Sequence, residues 1–193
     1  MSLKKIVFAT GNSNKLKEFK SAVDGFEIVG LTDLDITEEI PETGTTLKEN
    51  ALQKARYVYD KTGLNCFSDD TGLEIEALNN RPGVYSAMYA GDDCNAENNM
   101  QKILKELSGL RNRKAKFKTV IALILKGREC FFEGEVNGKI LQEKRGSNGF
   151  GYDPIFKPEG YKETFAQMSI RLKNKISHRG LAGKKLVSFL EDL

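Results

Sequence analysis

The sequence predicts a mixed α/β fold: a long sheet flanked by helices, with a second lobe in the hairpin region and a central cleft between the two lobes. Three observations predict it. The first thirty or so residues read strand, loop, helix, strand, the unit from which parallel and mixed sheets are assembled. Two β-rich stretches, 117–125 and 129–136, are separated only by Lys126-Gly127-Arg128, which reads as a hairpin. Apolar residues recur at helical spacing in three further segments. At 193 residues the chain is long enough for a single domain with a real core.

The elements follow in order. Residues 4–9 contain the apolar run Ile6-Val7-Phe8-Ala9, a buried strand. Thr10-Gly11-Asn12 is a turn signal, and Asn14 is placed to cap a helix whose apolar positions are Leu16, Phe19, Ala22 and Val23. Residues 27–31 form the second strand, and the acidic, aperiodic stretch 32–45 forms a loop. Thr46 with Glu49 three residues later is a capping box. Leu47, Ala51, Lys54-Ala55 and Val58 keep the helical rhythm until Thr62-Gly63. Cys66-Phe67-Ser68 reads as a short strand ending at Asp69-Asp70-Thr71-Gly72, which is good turn chemistry. Leu73, Ile75 and Ala77 then alternate as another strand. Residues 79–93 are expected to be a loop, 95–107 a helix and 147–151 a glycine-rich turn. In 177–190, Ala182, Leu186, Phe189 and Leu190 mark the apolar face of the last helix.

Composition excludes several classes. Lys and Arg number 30 against 27 Asp and Glu, a net charge of +3 spread along the chain. A duplex binder concentrates its charge in a stripe, so stable nucleic-acid binding is not expected. The densest basic run, 111–116, reads as a solvated loop before a strand. Three cysteines, Cys66, Cys94 and Cys130, without CxxC spacing suggest neither disulfides nor zinc, and fit a reduced, cytoplasmic protein. No stretch approaches the roughly 20 apolar residues of a membrane span, and Ile6–Ala9 is too short for a signal-peptide core.

Four stretches carry possible chemistry. Thr10-Gly11-Asn12-Ser13-Asn14-Lys15 joins a strand's end to a helix's beginning, where backbone amides and the helix dipole favour phosphate and Lys15 adds a charge. It is equally readable as an ordinary β-α turn. Glu42 and the adjacent Asp69-Asp70 offer oxygen ligands to a hard cation such as Mg²⁺, and one of them could orient or deprotonate a water. The alternative there is a capped turn. In Ser147-Asn148-Gly149-Phe150-Gly151-Tyr152-Asp153-Pro154, two glycines expose Phe150 for stacking on a base, with Asp153 able to accept from sugar or base. The alternative is a glycine-rich loop around a core aromatic. Lys173-Asn174-Lys175-Ile176-Ser177-His178-Arg179-Gly180 holds the single histidine. With Ser177 as N-cap, His178 and Arg179 stand at the positive end of the last helix, which points to an anionic or carbonyl-bearing ligand. The alternative is a solvated basic run.

Taken together and in this order, the stretches resemble the inosine/xanthosine triphosphate pyrophosphatase family. The match includes Glu42-Thr43-Gly44, Glu49-Asn50-Ala51, Ser68-Asp69-Asp70-Thr71-Gly72-Leu73, Pro82-Gly83-Val84-Tyr85-Ser86-Ala87 and Ser177-His178-Arg179-Gly180. It covers nearly the whole chain. The resemblance implies hydrolysis of ITP, dITP and XTP to the monophosphate and pyrophosphate, by a cytoplasmic homodimer with an elongated two-lobed α/β fold. It implies that Thr10, Gly11, Asn12, Ser13, Asn14 and Lys15 hold the triphosphate, that Asp70 is the catalytic carboxylate, and that Glu42, Asp69 and Asp70 bind Mg²⁺. Thr71, Phe150, Gly151, Tyr152 and Asp153 would contact the nucleotide, and Lys173, His178 and Arg179 would read the oxygen-bearing edge of the base. Two rivals remain at this level: a nucleotide-binding module without catalysis, and an RNA-interacting protein using Phe150 and the 111–116 run.

Overall fold

The computed structural model describes residues 4–22 and 26–192; Val23, expected on the first helix, lies outside them. In chain order the elements are β1 (Lys4–Phe8), α1 (Ser13–Ala22), β2 (Phe26–Val29), α2 (Leu47–Thr62), β3 (Cys66–Ile75), β4 (Arg81–Gly83), α3 (Ala96–Glu106), β5 (Lys114–Leu125), β6 (Arg128–Ile140), β7 (Phe156–Pro158), α4 (Ile170–Ile176) and α5 (His178–Glu191). The strands form one sheet in the order β2-β1-β3-β5-β6-β7, with β4 added alongside β3. β2 and β3 run parallel to β1, whereas β4 runs antiparallel to β3 and β7 to β6. The fold is therefore the mixed α/β arrangement that the sequence predicts.

The chain divides into two compact units. One comprises Met1–Asp70, Thr119–Gly134 and Arg179–Leu193; the other comprises Thr71–Lys118 and Glu135–His178. In the first unit, alternate residues of β1 enter different cores. Ile6 and Phe8 pack with Phe19, Phe67, Ala182 and Leu186, while Val7 and Ala9 pack with Ala51, Ala55 and Val58. Helices thus cover both faces of β1, which is why its sequence is a continuous apolar run rather than an alternating one. The second unit has its own core of Leu73, Ile75, Met100, Ile103, Phe117, Phe156 and Phe165.

Several local expectations are met by identifiable contacts. The Thr46–Glu49 capping box closes the start of α2, and Gly63, left-handed at φ 67, ends it. The hairpin between β5 and β6 turns through Lys126 and Gly127 at φ 49 and 78, the paired left-handed geometry that suits a tight two-residue connection. Other expectations are revised. Asp69-Asp70-Thr71-Gly72 is not a turn: it lies inside the ten-residue β3, where ladder bonds and the buried neighbours Phe67 and Leu73 override turn propensity. The stretch expected as a loop from 79 to 93 contains β4. A helix that periodicity did not reveal, α4, precedes the last one and is capped by the Ser169 hydroxyl. Asn12, not Asn14, caps α1, its side-chain oxygen accepting from the amides of Asn14 and Lys15.

The 111–116 run has a structural task. Arg113 donates to the carbonyls of Leu107, Ile140 and Leu141 at 2.9, 2.7 and 2.7 Å, and so ties β5 to the end of β6. No helix among the described residues is long and apolar enough to cross a membrane.

Candidate active site

The first unit places the phosphate-loop candidates where the sequence puts them, between β1 and α1. Thr10, Gly11, Asn12, Ser13 and Asn14 form the connection, and Lys15 sits in the first turn of α1. Not every amide there is open. Asn12 donates to the Thr10 hydroxyl, and Asn14 and Lys15 donate to the Asn12 side chain. A Cβ built on Gly11 would meet nothing within 4 Å, so the fold itself does not demand glycine there. The Lys15 ammonium turns inward, 3.1 Å from Asp69 Oδ1 and 3.4 Å from the Asp69 carbonyl. Burial, helped by the nearby charges of Lys54 and Arg179, lowers its pKa below the ordinary lysine value despite the Asp69 carboxylate.

β3 supplies the carboxylates. Successive residues of a strand point to opposite sides, so Asp69 and Asp70 are delivered into different surroundings. Asp69 is fully buried between cations, with Oδ1 facing Lys15 and Oδ2 accepting from Arg179 Nε at 3.0 Å. Burial alone would raise its pKa, but Lys15, Arg179 and Lys54 together drive it far below the usual carboxylate range. Asp70 goes the other way: burial lifts its pKa above the ordinary value although Lys54 and Lys15 oppose the rise. Its Oδ2 accepts from Asn50 at 3.3 Å, and its Oδ1 lies 3.7 Å from the Lys54 ammonium. Lys54 also donates to Glu42 Oε1 at 2.5 Å, so one ammonium joins Glu42 to Asp70.

The metal set implied by the resemblance is tested by this geometry. Asp69 fits it less well, because it is fully buried and each of its oxygens faces a cation of the chain. Glu42 and Asp70 fit better, since their side chains are 43 and 10% exposed and converge on one positive centre, the Lys54 ammonium. A hard cation that takes one or two carboxylates and completes its shell with water and phosphate suits such a pair. Among the described residues no three His, Cys, Asp or Glu side chains gather as a cage.

Arg179, a base-reading candidate, has partners within the chain: its Nη1 donates to Glu18 at 2.6 Å and its Nε to Asp69. Two carboxylates of the protein itself thus stand beside the cation at the N-terminal turn of α5. Both partners belong to the first unit with Arg179, whereas His178 closes the second.

In the second unit the other base-site candidates converge. Gly149 and Gly151 are left-handed at φ 75 and 60, and they present a half-buried Phe150 between them. The Phe150 amide donates to Asp153 Oδ2 at 2.8 Å, and Lys173 donates to the same oxygen at 2.5 Å. The Lys173 ammonium stands 5.0 Å from the Phe150 ring centroid. Asp153 therefore organises the loop and the lysine rather than facing solvent. Tyr152 is a core residue whose hydroxyl donates to the Ser86 carbonyl at 2.7 Å. His178 is buried and stacks on Phe117, centroids 4.5 Å apart with the rings 19° from parallel. Thr71 is half-buried within β3.

Three polar residues at the site were given no role by the sequence: Glu18, Asn50 and Lys54. All are buried. A signal was available for two of them, because Asn50 and Lys54 interrupt the apolar stripe Leu47, Ala51, Ala55 and Val58 on the buried side of α2. A polar residue on a buried face requires a partner, and that partner is often functional.

Comparison with known proteins follows this geometry. The model of the Ham1 family matches residues 6–189. The chain is 50% identical to the dITP/XTP pyrophosphatase of Flavobacterium johnsoniae over 96% of this chain and 97% of that protein. It is 52% identical to the dITP/XTP pyrophosphatase of Porphyromonas gingivalis, over 97% and 98%. Among solved structures it is similar to a HAM1 protein from Coxiella burnetii, with a TM-score of 0.89 and 39% identity over 98% of this chain and all of that one. The Staphylococcus aureus Ham1 protein gives a TM-score of 0.87 at 39% identity, covering 98% and 99%. Near-complete matches in sequence and in fold place this chain in the Ham1 family.

Proposed function

We propose that the chain hydrolyses deaminated purine nucleoside triphosphates, ITP, dITP and XTP, between the α- and β-phosphates. The observation that carries this reading is the Lys15 ammonium set against the Asp69-Asp70 pair at the N-terminus of α1, with Lys54 beside Asp70. A triphosphate is dense in charge, and its cleavage needs placed cations more than covalent chemistry. Lys15 and the remaining amides of the 10–15 loop would bind phosphate. Asp70 would orient a water in line with the α-phosphorus and accept its proton. The water oxygen bonds to phosphorus as the bond to the bridging oxygen breaks, and pyrophosphate leaves. Magnesium held by Glu42 and Asp70 would neutralise phosphate charge. The Lys54 ammonium occupies the same neighbourhood and would keep the two carboxylates together before substrate arrives.

The base would stack on Phe150, with Lys173 as the donor to its 6-keto oxygen. An adenine would offer an amino group there instead, and an unpaired buried donor costs roughly 1–3 kcal/mol. Gly151 gives the base access, while Tyr152 and Asp153 hold the loop. The working form is proposed to be a cytoplasmic homodimer, which sedimentation equilibrium checks; a single-chain mass would remove the dimer. The deciding experiment supplies ITP, XTP, GTP and ATP with Mg²⁺ and separates pyrophosphate from orthophosphate. ITP and XTP should give pyrophosphate with the higher kcat/KM values. Orthophosphate as the direct product would move the cut to the γ-phosphate, and four equal kcat/KM values would end the selectivity argument.

A further inference from the structure

We propose that Glu18 is a positioning residue for phosphate binding, acting through Arg179 and Asp69 to fix the Lys15 ammonium. The inference rests on the reading that Lys15 binds phosphate. Four charges alternate in sign around a closed path. Glu18, on α1, accepts from Arg179 Nη1 at 2.6 Å; Arg179, on α5, donates through Nε to Asp69 at 3.0 Å. Asp69, on β3, faces Lys15 at 3.1 Å, which returns the path to α1 one turn before Glu18. The side chains of Glu18, Arg179, Asp69 and Lys15 are 6, 5, 0 and 14% exposed.

The geometry explains why the far carboxylate matters. A guanidinium is a rigid fork, so holding one edge of it against Glu18 determines where the other edge meets Asp69. The lysine stem is flexible, and its ammonium goes where the carboxylate holds it. Without the Glu18 charge, Arg179 loses the carboxylate that holds its Nη1 edge and keeps Asp69 at its Nε. Asp69 is then drawn toward Arg179 and away from Lys15, and the phosphate-facing ammonium loses its fixed position. Only the least buried of the four, Lys15, is placed to meet a ligand.

The test uses inorganic tripolyphosphate, which carries the polyanion without sugar or base, as a competitor of ITP hydrolysis. Glu18→Gln keeps the shape and removes the charge. Its melting temperature should fall, because a buried ion pair loses one partner, but the protein should remain folded at the assay temperature with kcat changed less than about threefold. KM for ITP and the inhibition constant for tripolyphosphate should both rise about tenfold, the equivalent of roughly 1.4 kcal/mol. Lys15→Met should weaken tripolyphosphate at least as much, and the double variant should be no weaker than Lys15→Met alone, because the two act as one unit. Additive losses would overturn the proposal. So would unchanged tripolyphosphate inhibition with a raised KM for ITP, since Glu18 and Arg179 would then serve the base. If Glu18→Gln does not fold, Glu18→Asp keeps the charge, shortens the reach and carries the same comparison. Wild-type protein that releases pyrophosphate but ignores tripolyphosphate would refute the Lys15 reading itself, separately from the Glu18 link.

Discussion

Asp69 and Asp70 are neighbours in sequence, yet their carboxyls are driven in opposite directions: cations pull one pKa down, and burial lifts the other. That division suits a base beside an electrostatic anchor. Replacing Asp70 with Asn should lower kcat by roughly 10²–10⁴-fold, the usual worth of a positioned acid-base group. The melting temperature should hold or rise, because a carboxylate with a raised pKa costs stability when ionised. Near-normal turnover would remove Asp70 from the chemistry. With Asp70 as the proposed base the active form has it ionised, so kcat/KM should fall on the acid side with a midpoint above the ordinary aspartate value. A profile whose acid limb sits at or below that value would contradict the raised pKa.

Among the elements, α2 and the glycine-rich loop hold candidate site residues through a cap and through left-handed glycines. Thr46 and Glu49 close the start of α2, the helix that carries Asn50 and Lys54. Losing the cap through Thr46→Ala should cost about 1 kcal/mol, readable by urea unfolding. The glycine-rich loop is the sharper case. Gly149 is left-handed, and a Cβ there would lie 2.0 Å from Asp153 Oδ2, the oxygen that also holds Lys173. Gly149→Ala should therefore displace the Asp153–Lys173 pair and lower kcat/KM for ITP, while inhibition by tripolyphosphate stays at the wild-type level. Equal weakening of both would show that the loop does not act on the base end alone.

At the scale of the whole molecule, the buried charges of the first unit link its stability to pH. Asp69 has a depressed pKa in the folded state. It therefore contributes stability that is fully present above its unfolded pKa of about 3.9 and is lost as pH falls through the folded value. Asp69→Asn leaves Lys15 and Arg179 without their shared carboxylate. Removing one partner of a buried ion pair costs roughly 3–5 kcal/mol, so the variant should unfold at markedly lower urea at pH 7. The gap from wild type should narrow on acidification below about pH 4, where the wild-type carboxylate begins to lose its advantage. A gap that is independent of pH would show that packing, not charge, sets the loss.

Elements with local signals were legible from the amino-acid order. Examples are the apolar run of β1, the capping box of α2, the turn at Lys126-Gly127 and the apolar face of α5. It also singled out the candidate stretches for chemistry, because Thr10–Lys15, Asp69-Asp70, Phe150–Asp153 and Lys173–Arg179 stand out as polar or glycine-rich breaks in an otherwise ordinary pattern. Tertiary structure alone decided the pairing of charges. Asp-Asp-Thr-Gly has good turn propensity, and only ladder bonding between flanking buried residues makes it the middle of β3. Glu18 and Arg179 lie far apart in sequence and meet only because α1 and α5 pack against the same face of β1. Their contact also brings Arg179 onto Asp69, a pairing that nothing local in the sequence foretells. Local propensity is written over a few residues, whereas a buried charge finds its partner across the whole chain.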